Sequence, residues 1–233
     1  MSTTAGFLDL GLQPYARVHA LQVELAEARH RGTVSQDLFL CVEHPAVFTL
    51  GRHASRAHLG VSESFLGERA IDLVPIERGG EITYHGPGQL VLYPIISLKK
   101  RHLRVGDYVC LLEELMLRLA ADCGIAATRD PRNHGVWVGN NKLGSIGIAI
   151  RHGVAFHGLA LNVELDLTPF SWINPCGLSG VGMTSLRREG AHDCSMARVK
   201  QLLRDHLEQL FALNLQTVEQ ESLFSTFHGQ YPA

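Results

Sequence analysis

Arg78-Gly79-Gly80-Glu81-Ile82-Thr83-Tyr84-His85-Gly86-Pro87-Gly88-Gln89-Leu90-Val91-Leu92-Tyr93-Pro94 is the stretch on which the reading of this chain turns. Four glycines fall within ten residues. Glycine tolerates φ > 0 and lets a backbone or a ligand come close, so this density marks a turn that accepts something or a tight bend between strands. Val74 to Glu77 before it and Leu90 to Ile96 after it are β-prone, which places the glycines at strand ends, where sheets build sites. Two tight turns with a solvated Arg and a packed Tyr would account for the same residues.

Working outward, Pro14 to Arg31 carries Val18, Leu21, Leu25 and Ala28 at helical spacing, opened by Pro14 and closed by Gly32. Leu38 to Val42 and Val47 to Leu50 read as paired or successive strands, the second running into the basic loop Gly51-Arg52-His53. Ser62 caps a short helix to Arg69, ahead of a strand from Leu73 to Glu77. Beyond the glycine stretch, Lys99-Lys100-Arg101-His102-Leu103-Arg104 gathers four fixed positive charges, either a solvated turn or a dock for an acidic protein. Asp107 to Cys123 is an apolar helix stopped by Gly124, suited to covering a sheet. A last amphipathic helix places Met196, Val199, Leu202, Leu203, Leu207 and Leu210 on one face.

A second informative block runs from Gly135 to Ile150. Asn140-Asn141 between Trp137-Val138 and an Ile-rich run predicts a hairpin with Lys142 heading its second strand, and a third strand follows from Val154 to Val163. Small residues on these strands (Gly144, Gly147, Ala149, Gly158, Ala160) permit close packing or leave a narrow apolar slot for a chain-like ligand. Cys176, between Pro175 and Gly177, sits in a turn, where a thiol is more exposed than in a core.

The 233 residues, 45% hydrophobic and 19% charged, suffice for a full core. A formal charge of −2 gives no global argument for nucleic acid or membrane. Five cysteines without C-x-x-C spacing are the usage of a reducing compartment, and Cys110 and Cys123, roughly 220° apart around one helix, cannot pair with each other. With no leader pattern and no long apolar run, the expected location is the cytoplasm. His152 and His157, five apart, lie on opposite faces of any strand, and no other cluster has ligand spacing, so no metal is expected. No G-K-[ST] loop or dinucleotide turn supports nucleotide binding.

R-G-G-x-x-T-Y-H-G-P-G-Q (Arg78 to Gln89), K-x-x-S-I-G (Lys142 to Gly147), H-G-L-A-L-N (His157 to Asn162) and I-N-P-C-G (Ile173 to Gly177) together resemble the lipoyl(octanoyl) transferase family. The likeness runs from the first helix to Gly182. It implies an α+β fold like that of biotin and lipoate protein ligases, a mixed sheet with a second, smaller sheet, flanked by helices. One acyltransferase domain would span the chain, its core about residues 33–215, with an N-terminal helix and a C-terminal tail. It also implies the reaction: an octanoyl or lipoyl group passes from acyl carrier protein to a lysine of lipoyl domains, those of 2-oxoacid dehydrogenase E2 subunits and of glycine cleavage H protein, the first step of endogenous lipoate attachment.

By the same resemblance Cys176 is the nucleophile and Lys142 its activating partner. Arg78, Gly79, Gly80, Glu81, Ile82, Thr83, Tyr84 and His85, with Ser145, Ile146, Gly147, Gly158, Leu159 and Ala160, would line the acyl pocket. These residue types suit the chemistry, since a thioester donor calls for a nucleophile that forms its own thioester, and a thiol of pKa about 8.5 needs a positive neighbour to be largely thiolate at neutral pH. No cofactor is expected, because the incoming thioester is already activated. The alternatives are an ATP-dependent lipoate or biotin ligase on the same fold and a non-catalytic acyl-binding module.

Overall fold

The computed structural model describes residues 3–174, 180–221 and 223. Two sheets organise it. The larger has eight strands: β1 (Thr3–Leu12), β2 (Leu38–Glu43), β6 (Gln89–Ser97), β7 (Gly135–Val138), β8 (Asn141–Arg151), β9 (Val154–Asn162), β10 (Gly182–Met183) and β11 (Leu213–Thr217). Their order is β10-β8-β9-β6-β2-β1-β11, with β7 also paired to β8. The smaller sheet, β4-β3-β5, is built from β3 (Val47–Leu50), β4 (Asp72–Pro75) and β5 (Ile82–His85). Parallel and antiparallel pairs occur in both sheets, so the architecture is the expected mixed α+β one.

Helix α1 (Tyr15–Arg31) ends on Gly32 at φ 82, as its composition predicts, and buries Val18, Leu21 and Leu25 against one face of the large sheet. Helix α2 (Glu63–Gly67) is capped by Ser62, whose Oγ accepts from the Phe65 N–H at 3.1 Å. Helices α3 (Val105–Asp122) and α4 (Met196–Phe211) cover the opposite face, with Leu112, Leu115, Met116, Val199, Leu203 and Leu207 in one apolar cluster. Helix α4 therefore spends its apolar face inside the chain. A third cluster, including Phe48, Leu66, Tyr84 and Phe170, holds the small sheet to the short helices around it.

One alternative is decided and two expectations are corrected. Leu38 to Val42 and Val47 to Leu50 are successive but not paired: Glu43-His44-Pro45 carries the chain from the large sheet to the small one, where β3 pairs with β4 and β5. The basic run is only partly a solvated turn, because Arg101 reaches inward to Asp37 (Nε to Oδ2, 2.5 Å) beside Arg29 (2.7 Å). Cys123 and Cys194, 71 residues apart, form a disulfide between the end of α3 and the turn before α4, against the reducing-compartment usage expected from the cysteine spacing. No described helix is long and apolar enough to cross a membrane.

Candidate active site

The glycine turn after β4 is stitched on two sides. Arg52 and His53 donate backbone N–H bonds to the carbonyls of Arg78 and Gly80, while the Gly79 N–H reaches Ile148 O on β8 at 2.9 Å. The turn thereby joins the small sheet to the large one. Arg78, 8% exposed, donates through Nη2 to Thr49 O (2.9 Å) and Thr49 Oγ1 (2.8 Å), and through Nη1 to Gly79 O (3.0 Å). Its guanidinium thus braces the loop.

Between the turn and strands β8 and β9 lies a cavity of about 760 Å³ counted out to its open mouth. It is lined by Arg78, Gly80, Glu81, Ile82, Thr83 and His85 from the glycine stretch, Lys142, Ser145, Ile146 and Gly147 from β8, and Gly158, Leu159 and Ala160 from β9. Three separated motifs therefore meet at one place. Gly79 and Tyr84 do not line it: Gly79 is spent on its bond to β8, and Tyr84 points into the third cluster, its ring 5.2 Å from Phe48 and 5.6 Å from Phe170. The period of two in β5 separates Tyr84 from Thr83 and His85. Ala149 and Gly144 also lie away from the cavity. Gly144 is small because Met116 of α3 sits on it, and Gly158 because the Leu92 carbonyl of β6 would stand 2.2 Å from a Cβ there.

Lys142 is 2% exposed, and its ammonium donates to Asn133 Oδ1 and lies 5.2 Å from the centre of the Trp137 ring. Its main chain is held between β7 and β10, where Trp137 and Met183 are its partners, and its carbonyl accepts from Thr184 N at 3.0 Å. Asn133 and Met183 line the cavity with it. Cys176, with Pro175, Gly177, Leu178 and Ser179, lies outside the described residues. On either side of that stretch, Asn174 N donates to His58 O at 2.8 Å and Asn140 Nδ2 donates to Gly180 O at 2.7 Å.

Sequence reading missed the inner wall, formed by Tyr15, Val91, Tyr93 and His157, and the amide network behind it. His85 Nδ1 must donate to Gln89 Oε1 (2.7 Å), since that oxygen only accepts. Gln89 Nε2 then donates to Asn162 Oδ1 (2.9 Å), and Asn162 Nδ2 to Thr184 O (2.9 Å). The last residues of two motifs, Gln89 and Asn162, thus tie β5, β6 and β9 to Thr184, just past β10, whose N–H also bonds Lys142 O. The signal was present in those motifs, but not its meaning. Burial, then the nearby His44, push the His85 pKa down to about 3, and burial pushes that of His44 down to about 4, so both rings are neutral. His44 Nδ1 donates to Gln13 O (2.7 Å), leaving its Nε2 to accept from the Tyr93 hydroxyl (2.9 Å).

The site can take a largely apolar ligand against Ser145 to Gly147 of β8 and Gly158 to Ala160 of β9 and present it to the buried Lys142 ammonium. The model of the lipoyl protein ligase A/B catalytic domain matches residues 14–208. An octanoyltransferase of Desulfotalea psychrophila is 55% identical over 206 residues, 88% of this chain and 92% of that protein. One of Syntrophobacter fumaroxidans is 44% identical over 91% of this chain and 92% of its own. Among solved structures, lipoate-protein ligase A bound with ATP superposes with a TM-score of 0.73 at 17% identity, covering 95% of this chain and 93% of that one, a likeness of fold. With most of its length matched, the chain belongs to the lipoyl protein ligase A/B catalytic domain family.

Proposed function

We propose that the protein transfers an octanoyl group to a lysine of a lipoyl domain, taking it from acyl carrier protein as a thioester on Cys176. The observation that carries this reading is Lys142, an ammonium buried to 2% exposure at a cavity on which three of the four motifs converge. The names of the relatives support octanoyl as the group moved.

In this reading Lys142 has two tasks. Its charge favours the Cys176 thiolate, which attacks the incoming thioester carbon and expels the carrier thiolate. The acceptor amine, having lost a proton, then attacks the enzyme thioester, and Cys176 leaves as the thiolate again. Lys142 is suited to passing the protons, because a buried lysine can titrate whereas a guanidinium cannot. Cavity residues Ser145 to Gly147 and Gly158 to Ala160 hold the chain, and Asn133 keeps the Lys142 side chain in place. E2 lipoyl domains and glycine cleavage H protein fit as acceptors, and the cytoplasm as the location.

Intact-mass analysis after incubation with octanoyl carrier protein tests it. One added octanoyl group, labile to hydroxylamine and absent in Cys176→Ala, is expected; an adduct that persists in Cys176→Ala would remove Cys176 as nucleophile.

A further inference from the structure

Three side chains from three separate elements meet beside the inner wall of the cavity. His19 projects from α1, Glu77 immediately precedes the glycine turn, and His157 lies in β9. Their donor atoms all fall within 4.8 Å of one another: Glu77 Oε2 is 2.9 Å from His19 Nε2 and 3.7 Å from His157 Nε2. The two imidazoles stack at 5.4 Å with 16° between their planes. His157 stands at φ 56 within its strand, and its ring also stacks on that of Phe156 at 4.9 Å, so neighbouring residues share a side where a regular strand would separate them.

The arrangement is more than a hydrogen-bonded triad. His157 is 1% exposed, and its Nε2 is buried with no hydrogen-bond partner, although it is turned toward the Glu77 carboxylate. Leaving such an atom unpaired costs about 1–3 kcal/mol, and buried polar atoms are seldom left so without a ligand or other use. Two imidazole nitrogens and one carboxylate oxygen are the donor set favoured by zinc-like divalent ions, which sit about 2 Å from each. Donors so placed are separated by about 3–4 Å, the range the two distances to Glu77 already span. The His19 side chain, 24% exposed, has room to close the remainder.

We propose that His19, Glu77 and His157 bind one divalent transition-metal ion, of the zinc or cobalt type, beside the inner wall of the cavity. Glu77 serves through Oε2 alone, because Arg151 Nη2 approaches Oε1 at 3.6 Å. That guanidinium opposes a dication, which makes the affinity moderate and gives the site a signature that a purely structural triad lacks.

Cobalt(II) and zinc(II) are titrated separately into the full chain, in a Cys110→Ser, Cys176→Ala background that removes the exposed thiol and the proposed nucleophile as competing ligands. Equilibrium dialysis measures affinity and the visible absorption of cobalt reports the donor set. One ion per chain is expected, weakened at least about tenfold by His19→Ala and by Glu77→Gln, and tightened several-fold by Arg151→Gln. The stacked surface pair His30 and His152, 4.4 Å apart, is the control, and His152→Ala should leave the affinity unchanged. Absence of one-equivalent binding, an affinity indifferent to His19→Ala, or loss on His152→Ala overturns the proposal. Because the readout is ion binding, its failure says nothing about octanoyl transfer, nor the reverse.

Discussion

Arg78 lies directly over Gly147: a Cβ at position 147 would stand 2.8 Å from Arg78 Cδ and 3.1 Å from Gly79 O. The glycine on β8 thus makes room for the arginine that braces the turn, besides lining the cavity. Gly147→Val should push Arg78 off Thr49, cost about 1–3 kcal/mol of stability and lower transfer of every chain length alike. Ala160→Val, at a position that lines the cavity from β9, should instead shift preference toward shorter acyl groups. Rates with a series of acyl carrier proteins, set beside urea unfolding, distinguish the two; the same length shift from both variants would return Gly147 to a role in the slot.

Lys142→Arg keeps the charge and loses the titratable amine. The variant is expected to form acyl-enzyme on Cys176 but to pass the group to a lipoyl domain at least about a hundredfold more slowly, the usual scale of a general acid–base contribution. Lys142→Ala should be slow in both half-reactions. Single-turnover assays of each step provide the check, and a Lys142→Arg enzyme that deacylates at the parent rate would leave Lys142 as a fixed charge only.

Within the basic run the two kinds of charge should separate by experiment. Lys99 and Lys100 are exposed, so reversing both should slow association with an acidic carrier protein and flatten its salt dependence while stability stays put. Arg101 and Arg29 instead converge on buried Asp37, which also accepts from Ser97 N at 3.2 Å. Removing that carboxylate by Asp37→Ala strands two guanidinium groups and should cost about 3–5 kcal/mol in denaturant unfolding. Unchanged rates at low salt for the Lys99/Lys100 reversal would make that part of the run a solvated turn.

Acid should destabilise the fold early. His44 and His85 are buried neutral, with pKa values near 4 and 3 against about 6.5 in the unfolded chain. The unfolded state therefore takes up protons first, and stability present above pH 6.5 is lost as the pH falls toward 3, at full slope by roughly tenfold in the unfolding constant per pH unit for each ring. Urea midpoints measured from pH 7.5 to 5 should decline, and His85→Gln should decline less; parallel curves would show that His85 is not the group concerned.

Much of this was legible in order along the chain. Helical spacing, Gly32, the Ser62 cap and the Asn140-Asn141 pair located α1, α2 and the β7–β8 hairpin to within a residue or two, because each is decided locally. Motif resemblance brought Arg78, Lys142 and Ala160 together before any coordinates did. What escaped was decided at a distance. Thr3–Leu12, interrupted by Gly6 and Gly11, is a strand only because β2 and β11 flank it. Tyr84 was assigned to the pocket with its neighbours although the strand turns it away. His157 does stand apart from His152, which stacks on His30, and its own companions come from residues 19 and 77, too distant in sequence for any spacing to reveal.

The pairing of β1 with β11 joins Thr3 to Leu213 and Phe7 to Thr217 across more than two hundred residues of chain. A nascent polypeptide emerging from the ribosome can settle α1, the small sheet and the β6–β9–β8 ladder long before its last strand is synthesised, while that edge of β1 waits with unpaired N–H and C=O groups. Such long-range closure is slow, and an open edge in the meantime is a template for another chain. Recovery of the protein at high expression temperature should therefore be governed by how quickly its own tail arrives, and Leu213–Thr217 supplied as a separate peptide is the natural competitor for that edge.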